Sequence, residues 1–316
     1  MKSTKLQAPS SREIPSFKSQ CSRRSIWSGI WSFSGYWCLE LGALLRMVLW
    51  LFLGCWSLSF ASLLASDTLA LSWTNNLLTI SGTNVPGGKL EVWYLEAFCR
   101  KGSTHRDWRQ TVLPHKTTLV SAAPTLLRFR TRVEPDVEVL HRVEAGTDQV
   151  DFEFELQNHG KEPVDLEWFE PACIRVDRFT GLGQSNYISR SFIFTEGGLI
   201  TLDKTGRHDE ALYRGGQVYV PEGINLNDVN PRPISDDRPV NGLIGCFSED
   251  GKYLLATAST TTHELFQGVY VCLHSDPHIG GLAAGQTRII RAKIYLLPND
   301  PAMLLRRYRA DFATVR

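Results

Sequence analysis

The sequence predicts an all-β protein: one large antiparallel β-sandwich with a short C-terminal helix, preceded by a single N-terminal hydrophobic helix. Three observations predict it. Period-two alternation of apolar and polar residues dominates the body of the chain. No regular exchange of strand and helix patterns appears, which argues against a parallel sheet. The one amphipathic helical stretch lies at the end, over Pro301–Phe312.

The first 46 residues form a basic leader. Lys2, Lys5, Arg12, Lys18, Arg23, Arg24 and Arg46 stand against Glu13 and Glu40, so this segment carries net +5 in a chain of net +1. Met47 to Ala65 then reads MVLWLFLGCWSLSFASLLA without a charge. A helix of that length nearly spans a hydrocarbon core of about 30 Å. Two readings follow: a signal peptide, cleaved after Ser59-Phe60-Ala61, or a retained transmembrane anchor. Both send residues 66–316 out of the cytoplasm, to the periplasm, the cell surface or the medium. Met1, Met47 and Met303 are the only methionines. A start at Met47 would leave the apolar run as a short leader and residues 1–46 outside the protein.

The clearest strand follows. Val150, Phe152, Phe154 and Leu156 alternate with Asp151, Glu153, Glu155 and Gln157. After the turn cluster 158–163, Val164, Leu166 and Trp168 alternate with Asp165 and Glu167, which predicts a hairpin with that strand. Leu127, Phe129, Thr131 and Val133 alternate with Arg128, Arg130 and Arg132. A row of arginines on one strand and of carboxylates on another suggests pairing across the sheet surface. Further strands are predicted at 77–81, 89–98, 118–122, 191–201, 217–220, 243–247, 253–259, 265–273 and 287–297. So many strands over some 250 residues suggest one sandwich. Loop excursions over 181–237 would cover one end of it, where binding residues gather.

The body holds Cys99, Cys173, Cys246 and Cys272. In an exported domain they permit two disulfides in three connectivities; otherwise they are small buried residues. No pair has metal-finger spacing, so neither metal nor other cofactor is expected. The small net charge and the lack of basic–aromatic interleaving argue against nucleic acid as a partner. No phosphate-cradling glycine loop, G-x-S-x-G elbow or H-E-x-x-H helix is present.

The run from Val150 to Val176 resembles the middle of galactose mutarotase-like domains, the β-supersandwiches shared by aldose epimerases and other carbohydrate-active proteins. The resemblance rests on a strand, a turn ending Glu162-Pro163-Val164, and a following strand with an aromatic and a proline. The turn Gly281–Thr287 before the last strand adds to it. It implies the fold over residues 68–298 and carbohydrate as partner. Aldose epimerases carry a His-Pro-aromatic motif after this hairpin, and the matching position here is Glu170-Pro171-Ala172. The general-acid histidine is therefore replaced by a carboxyl, which could protonate a sugar oxygen only if burial raised its pKa.

Three polar clusters are candidate sites. The first runs through His263-Glu264 and His274-Ser275-Asp276-Pro277-His278. With 265–273 as one strand, His263 and His274 fall near opposite ends, while His274, Asp276 and His278 share one turn. Two imidazoles and a carboxylate could hold a divalent ion or serve as acid and base; turn residues bonded to backbone would look the same. The second is Arg106-Asp107-Trp108-Arg109 with His115, in which Trp108 would stack on a sugar ring and its neighbours bond hydroxyls. An exposed hairpin tip is the plainer reading. The third is Trp168-Phe169-Glu170, where Trp168 also fits the core stripe. The expectation is an exported or membrane-anchored carbohydrate-binding sandwich without catalysis. The alternatives are a carbohydrate-active epimerase, lyase or hydrolase using Glu170, Glu264, His274, Asp276 and His278, and a structural envelope domain with a protein partner.

Overall fold

The computed structural model describes residues 68–184, 186–208 and 210–312, so the expected leader and apolar run lie outside the described residues. No described helix is long and apolar enough to cross a membrane. Two antiparallel sheets make the sandwich. The first has seven strands in the order β1 (Ala70–Thr74), β2 (Leu77–Ser81), β3 (Lys89–Trp93), β10 (Cys173–Arg175), β17 (Cys272–Pro277), β16 (Thr262–Gln267) and β13 (Gln217–Tyr219). The second has nine: β12 (Gly198–Thr201), β11 (Ser191–Thr195), β14 (Ile244–Phe247), β15 (Tyr253–Ser259), β18 (Thr287–Pro298), β8 (Gln149–Asn158), β7 (Val137–Ala145), β6 (Leu126–Val133) and β5 (His115–Ala123). A small ribbon pairs β4 (Ala97–Cys99) with β9 (Trp168–Glu170).

Alternation places one face of each sheet inward. Leu78, Ile80, Val92, Ile174 and Leu273 of the first sheet pack with Phe129, Val139, Phe152 and Phe154 of the second in one core. The helix Pro301–Phe312 packs on the outer face of the nine-stranded sheet. Its Leu304 is fully buried, and Leu305, Tyr308 and Phe312 pack around Tyr295 and Leu297.

Several expectations need correction. The strand Val150–Gln157 does not form a hairpin with 164–168; β8 pairs with β7 and β18 instead. Residues 164–167 bond instead to 279–282 and to Cys99, with a β-bridge from Val164 to Leu282. The arginine row of β6 and the carboxylate row of β8 do not meet, because β7 runs between them. Arg130 pairs with Glu138 of β7, while Glu153 and Asp151 pair with Arg291 and Lys293 of β18. The stretch 265–273 is not one strand but a hairpin, β16 turning into β17 through 268–271. Gly268 and a left-handed Val271 (φ 55°) make the turn. An apolar Val269-Tyr270-Val271 sequence conceals it from a reading by periodicity. The second polar cluster occupies a 3-10 turn (Ser103–His105) and one helical turn (Trp108–Thr111) rather than a hairpin tip.

Candidate functional site

In β17, Leu273 enters the core, so Cys272, His274 and Asp276 project from the outer face of the seven-stranded sheet. In β16 the same rule puts Glu264 and Phe266 outward, and Glu264 sits directly opposite Asp276. Cys173 of β10 shares this face, one register step beyond the Ile174–Leu273 pair. Glu170 reaches it from β9. Two loop segments close over the face and knit together. The backbone N–H groups of Gly102 and Thr104 donate to Asp228 Oδ1 (2.6 Å) and Asn227 O (3.1 Å). The Trp168 indole donates to Ser103 Oγ at 3.4 Å.

Between loops and sheet lies a cavity of about 310 Å³. Glu170, Cys173, Cys272, His274 and Asn230 line its floor, and Trp108, Tyr213, Phe266 and Tyr270 its walls. Asp107 fixes the Trp108 wall. Its carboxylate caps the helical turn at Arg109 N (2.9 Å) and accepts from the Tyr213 hydroxyl (2.9 Å), whose oxygen accepts from Trp108 N (3.0 Å). These bonds, the one from Arg109 N first, hold the Asp107 carboxyl below its ordinary pKa.

The floor concentrates buried charge. Glu170, Glu264, Asp276 and His274 are each at most 2% exposed. Asn230 ties two of the carboxylates together: its side-chain amide donates to Glu170 Oε1 (3.1 Å) and its backbone N–H to Glu264 Oε2 (2.9 Å). His274 Nε2 lies 3.4 Å from Cys272 Sγ, and its Nδ1 lies 3.7 Å from Asp276 Oδ1. Glu170, His274 and Asp276 bring ligand-capable atoms within 4.8 Å of one another, and so do Cys173, Cys272 and His274.

Burial sets the protonation here. Desolvation, reinforced by Glu96 and Asp276, pushes the Glu170 carboxyl well above the carboxylate range. Asp276 is pushed to about 7, again by desolvation first, with His274 opposing. Desolvation works to lower His274, but the charges of Cys173, Cys272 and Asp276 win and raise it well above an ordinary imidazole. The hydrogen bond from the Cys173 thiol lowers Cys272 and raises Cys173. A buried carboxyl, a buried imidazole and a hydrogen-bonded thiol pair thus face one small cavity.

The structure brings together Asp107, Trp108, Arg109, Glu170 and His274 of the expected residues on the cavity lining, with Glu264 and Asp276 behind its floor. His278 does not join them. Its Nε2 donates to Glu167 Oε1 at 2.9 Å, and its ring stacks on His263, which stacks on Trp168. For Glu167, burial raises the pKa, but the His278 bond and the His278 and Lys101 charges outweigh it and hold the carboxyl low. His115 begins β5 and lines a separate surface cavity with Glu134 and Asp136, and Arg106 lies outside the lining. Trp168 is fully buried, but in a small cluster with Ala97 and Cys99 rather than in the main core, which Phe169 enters instead. All four body cysteines are free and buried. Asn230, Tyr213, Cys173 and Cys272 were not singled out from the sequence as site residues. Asn230 precedes a proline in a polar loop and carries no spacing signal.

No protein-family model matches the chain, and no curated protein is similar to it. The chain is similar to solved galactose mutarotase-like structures. A galactose mutarotase-like protein from Lactobacillus casei is 8% identical, with 72% of this chain and 99% of that one covered and a TM-score of 0.39. A galactose mutarotase related enzyme from Lactobacillus acidophilus gives 9% identity, 74% and 98% coverage and the same TM-score, 0.39. An aldose epimerase homologue from C. elegans gives 9%, 74%, 97% and 0.39.

Proposed function

We propose that the chain is a carbohydrate-active protein whose outer-sheet cavity holds one sugar ring and moves a proton on it. The observation that carries this reading is the meeting of Glu170 and His274 on the floor of a cavity walled by Trp108. The cavity is at the small end of ligand sites, which run about 300–1,000 Å³, and so suits a single ring rather than a chain of them. Aromatic walls suit the apolar face of a pyranose, and Asn230 with the rim side chains Asp107, Arg109 and Arg232 supplies hydroxyl partners. Glu170 stands where the resembled motif has its acid histidine. As a buried carboxyl it keeps a proton to give to a sugar oxygen, and as a carboxylate it takes one back. An anomeric exchange, which needs one proton in and one out, fits this site better than a hydrolysis with a fixed water. In this reading the domain works outside the cytoplasm, and the apolar run 47–65 carries it there.

The position of Glu170 also keeps a second reading open, a sugar-binding domain without turnover. One experiment separates the two. A panel of free monosaccharides is titrated into the full chain by tryptophan fluorescence, and anomeric exchange of each binder is followed by magnetisation-transfer NMR. Expected is saturable binding with exchange accelerated over buffer. Glu170→Gln lowers the exchange rate about 10²–10⁴-fold while leaving affinity within a few fold. Binding without acceleration would leave the non-catalytic reading, and no binding to any sugar would overturn both.

A further inference from the structure

We propose that Cys173, Cys272 and His274 form a binding site for a borderline-soft divalent metal ion of the zinc class, open to the same cavity. This goes beyond the carbohydrate reading and does not depend on it. The three ligand atoms lie within 4.8 Å of one another, and all three residues line the cavity. The 3.4 Å between His274 Nε2 and Cys272 Sγ fits a coordination edge. Around a tetrahedral zinc, bonds of about 2.3 Å to sulfur and 2.0–2.1 Å to nitrogen put those atoms about 3.5 Å apart.

The strand register explains why two thiols gather here without bonding to each other. Ile174 faces Leu273 and Arg175 faces Cys272, which leaves Cys173 diagonal to Cys272 across the β10–β17 pair. Diagonal positions hold their Cα atoms about 7–8 Å apart, beyond the usual disulfide span of about 4.4–6.8 Å. A metal ion bridges that diagonal where a disulfide does not.

The surroundings match a loaded histidine ligand. With Nε2 turned to the thiols, Nδ1 turns to Asp276, and a carboxylate behind a metal-bound imidazole fixes its tautomer. Among the described residues, His274 Nδ1 and both Asp276 oxygens have no hydrogen-bond partner, although all are buried. The carboxyl groups of Glu264 and Asp276 lie against imidazoles, Glu264 Oε2 3.3 Å from His263 Nδ1 and Asp276 Oδ1 3.7 Å from His274 Nδ1. A cation at the thiols is favoured by this cluster of buried carboxyl groups, and loading releases the protons of its ligands. Three protein ligands with the fourth position toward a cavity is the arrangement of a reactive zinc site rather than a closed structural one.

The test uses the full chain, purified with reductant, stripped by chelator and titrated with Co²⁺. Expected is one equivalent bound, an intense thiolate-to-cobalt band in the near ultraviolet, tetrahedral d–d bands in the visible, and displacement of both by Zn²⁺. Cys173→Ser or Cys272→Ser leaves about half of the charge-transfer absorbance, one thiolate of two, and the double variant leaves none. Cys246→Ser, on the other sheet, changes nothing. Asp276→Asn weakens affinity about 10–100-fold. Should the serine variants not fold, X-ray absorption of the zinc-loaded wild type decides instead, with two sulfurs at about 2.3 Å and a nitrogen at about 2.0–2.1 Å expected. Folded wild type that binds no cobalt, a charge-transfer band that survives in the double variant, or a Cys173–Cys272 disulfide in protein purified without reductant each overturns the proposal.

Discussion

His141 shows how one side chain can carry acid sensitivity in this fold. It is 3% exposed, bonded through Nδ1 to the Tyr94 hydroxyl at 2.7 Å, and ringed by Phe129 and Phe154. Desolvation lowers its pKa to about 3. An unfolded histidine binds its proton below about 6.5, while the folded one stays neutral to about 3. The unfolded state therefore holds more protons in that window, and stability is lost as pH falls through it. Between pH 7 and pH 4.5 the loss from this residue is on the order of 2–3 kcal/mol. Urea midpoints of wild type and His141→Gln at both pH values check this: the variant should lose that much less. Equal acid losses would assign the sensitivity elsewhere, though not to Asp276 or Glu170, whose raised pKa values make the folded state gain stability as pH falls. Trp108 makes the matching point for binding. Trp108→Ala should weaken sugar affinity about tenfold, or about 1.4 kcal/mol, with circular dichroism unchanged because the side chain walls the cavity and lies outside the main core.

The β16–β17 hairpin is the element on which the site depends, and it was the least legible in the sequence. Strands β6 and β7 show clean alternation, since one face meets the core and the other meets water. The residues of β17 are buried on both faces, so His274 and Asp276 read as turn chemistry, and Cys272 as the end of a longer strand, instead of one outer row. The Glu264–Asp276 register and the approach of Cys173 are long-range facts that no local spacing encodes. Trp108, Glu170 and His274 were legible as residue types suited to a site. What the sequence did not contain was the loop closure that brings 101–113 and 213–235 over one sheet face. Gly268 links the hairpin to the chemistry. A Cβ there would stand 2.3 Å from Cys272 Sγ. Gly268→Ala should cost about 1–3 kcal/mol by overpacking and displace the thiol. Thermal melts and alkylation rates of Cys272 measure both, and an unaltered thiol rate would mean that the turn yields rather than the side chain.

The whole molecule divides its labour between two outer faces. The core of the sandwich is common property, but the seven-stranded sheet turns its outer face to the cavity, and the nine-stranded sheet turns its own to the C-terminal helix. That helix is tied down by Leu304 in the cluster around Tyr295 and Leu297, and by polar locks from Arg307 to Asp148 and from Asp311 to Lys293 and the Tyr295 hydroxyl. None of these residues lines the cavity. Stability and site should therefore respond separately to mutation at this end. Leu304→Ala removes a fully buried side chain and should cost about 2–5 kcal/mol. Because the core of the sandwich lies between helix and cavity, cobalt and sugar titrations below the new melting point should give wild-type affinities. A variant that is destabilised and also binds weakly would instead mean that the two faces are coupled through β15, the strand that contacts both the helix and β17. In that case core-facing β15 substitutions such as Leu255→Val should reproduce the loss of affinity without touching either the helix face or the cavity lining.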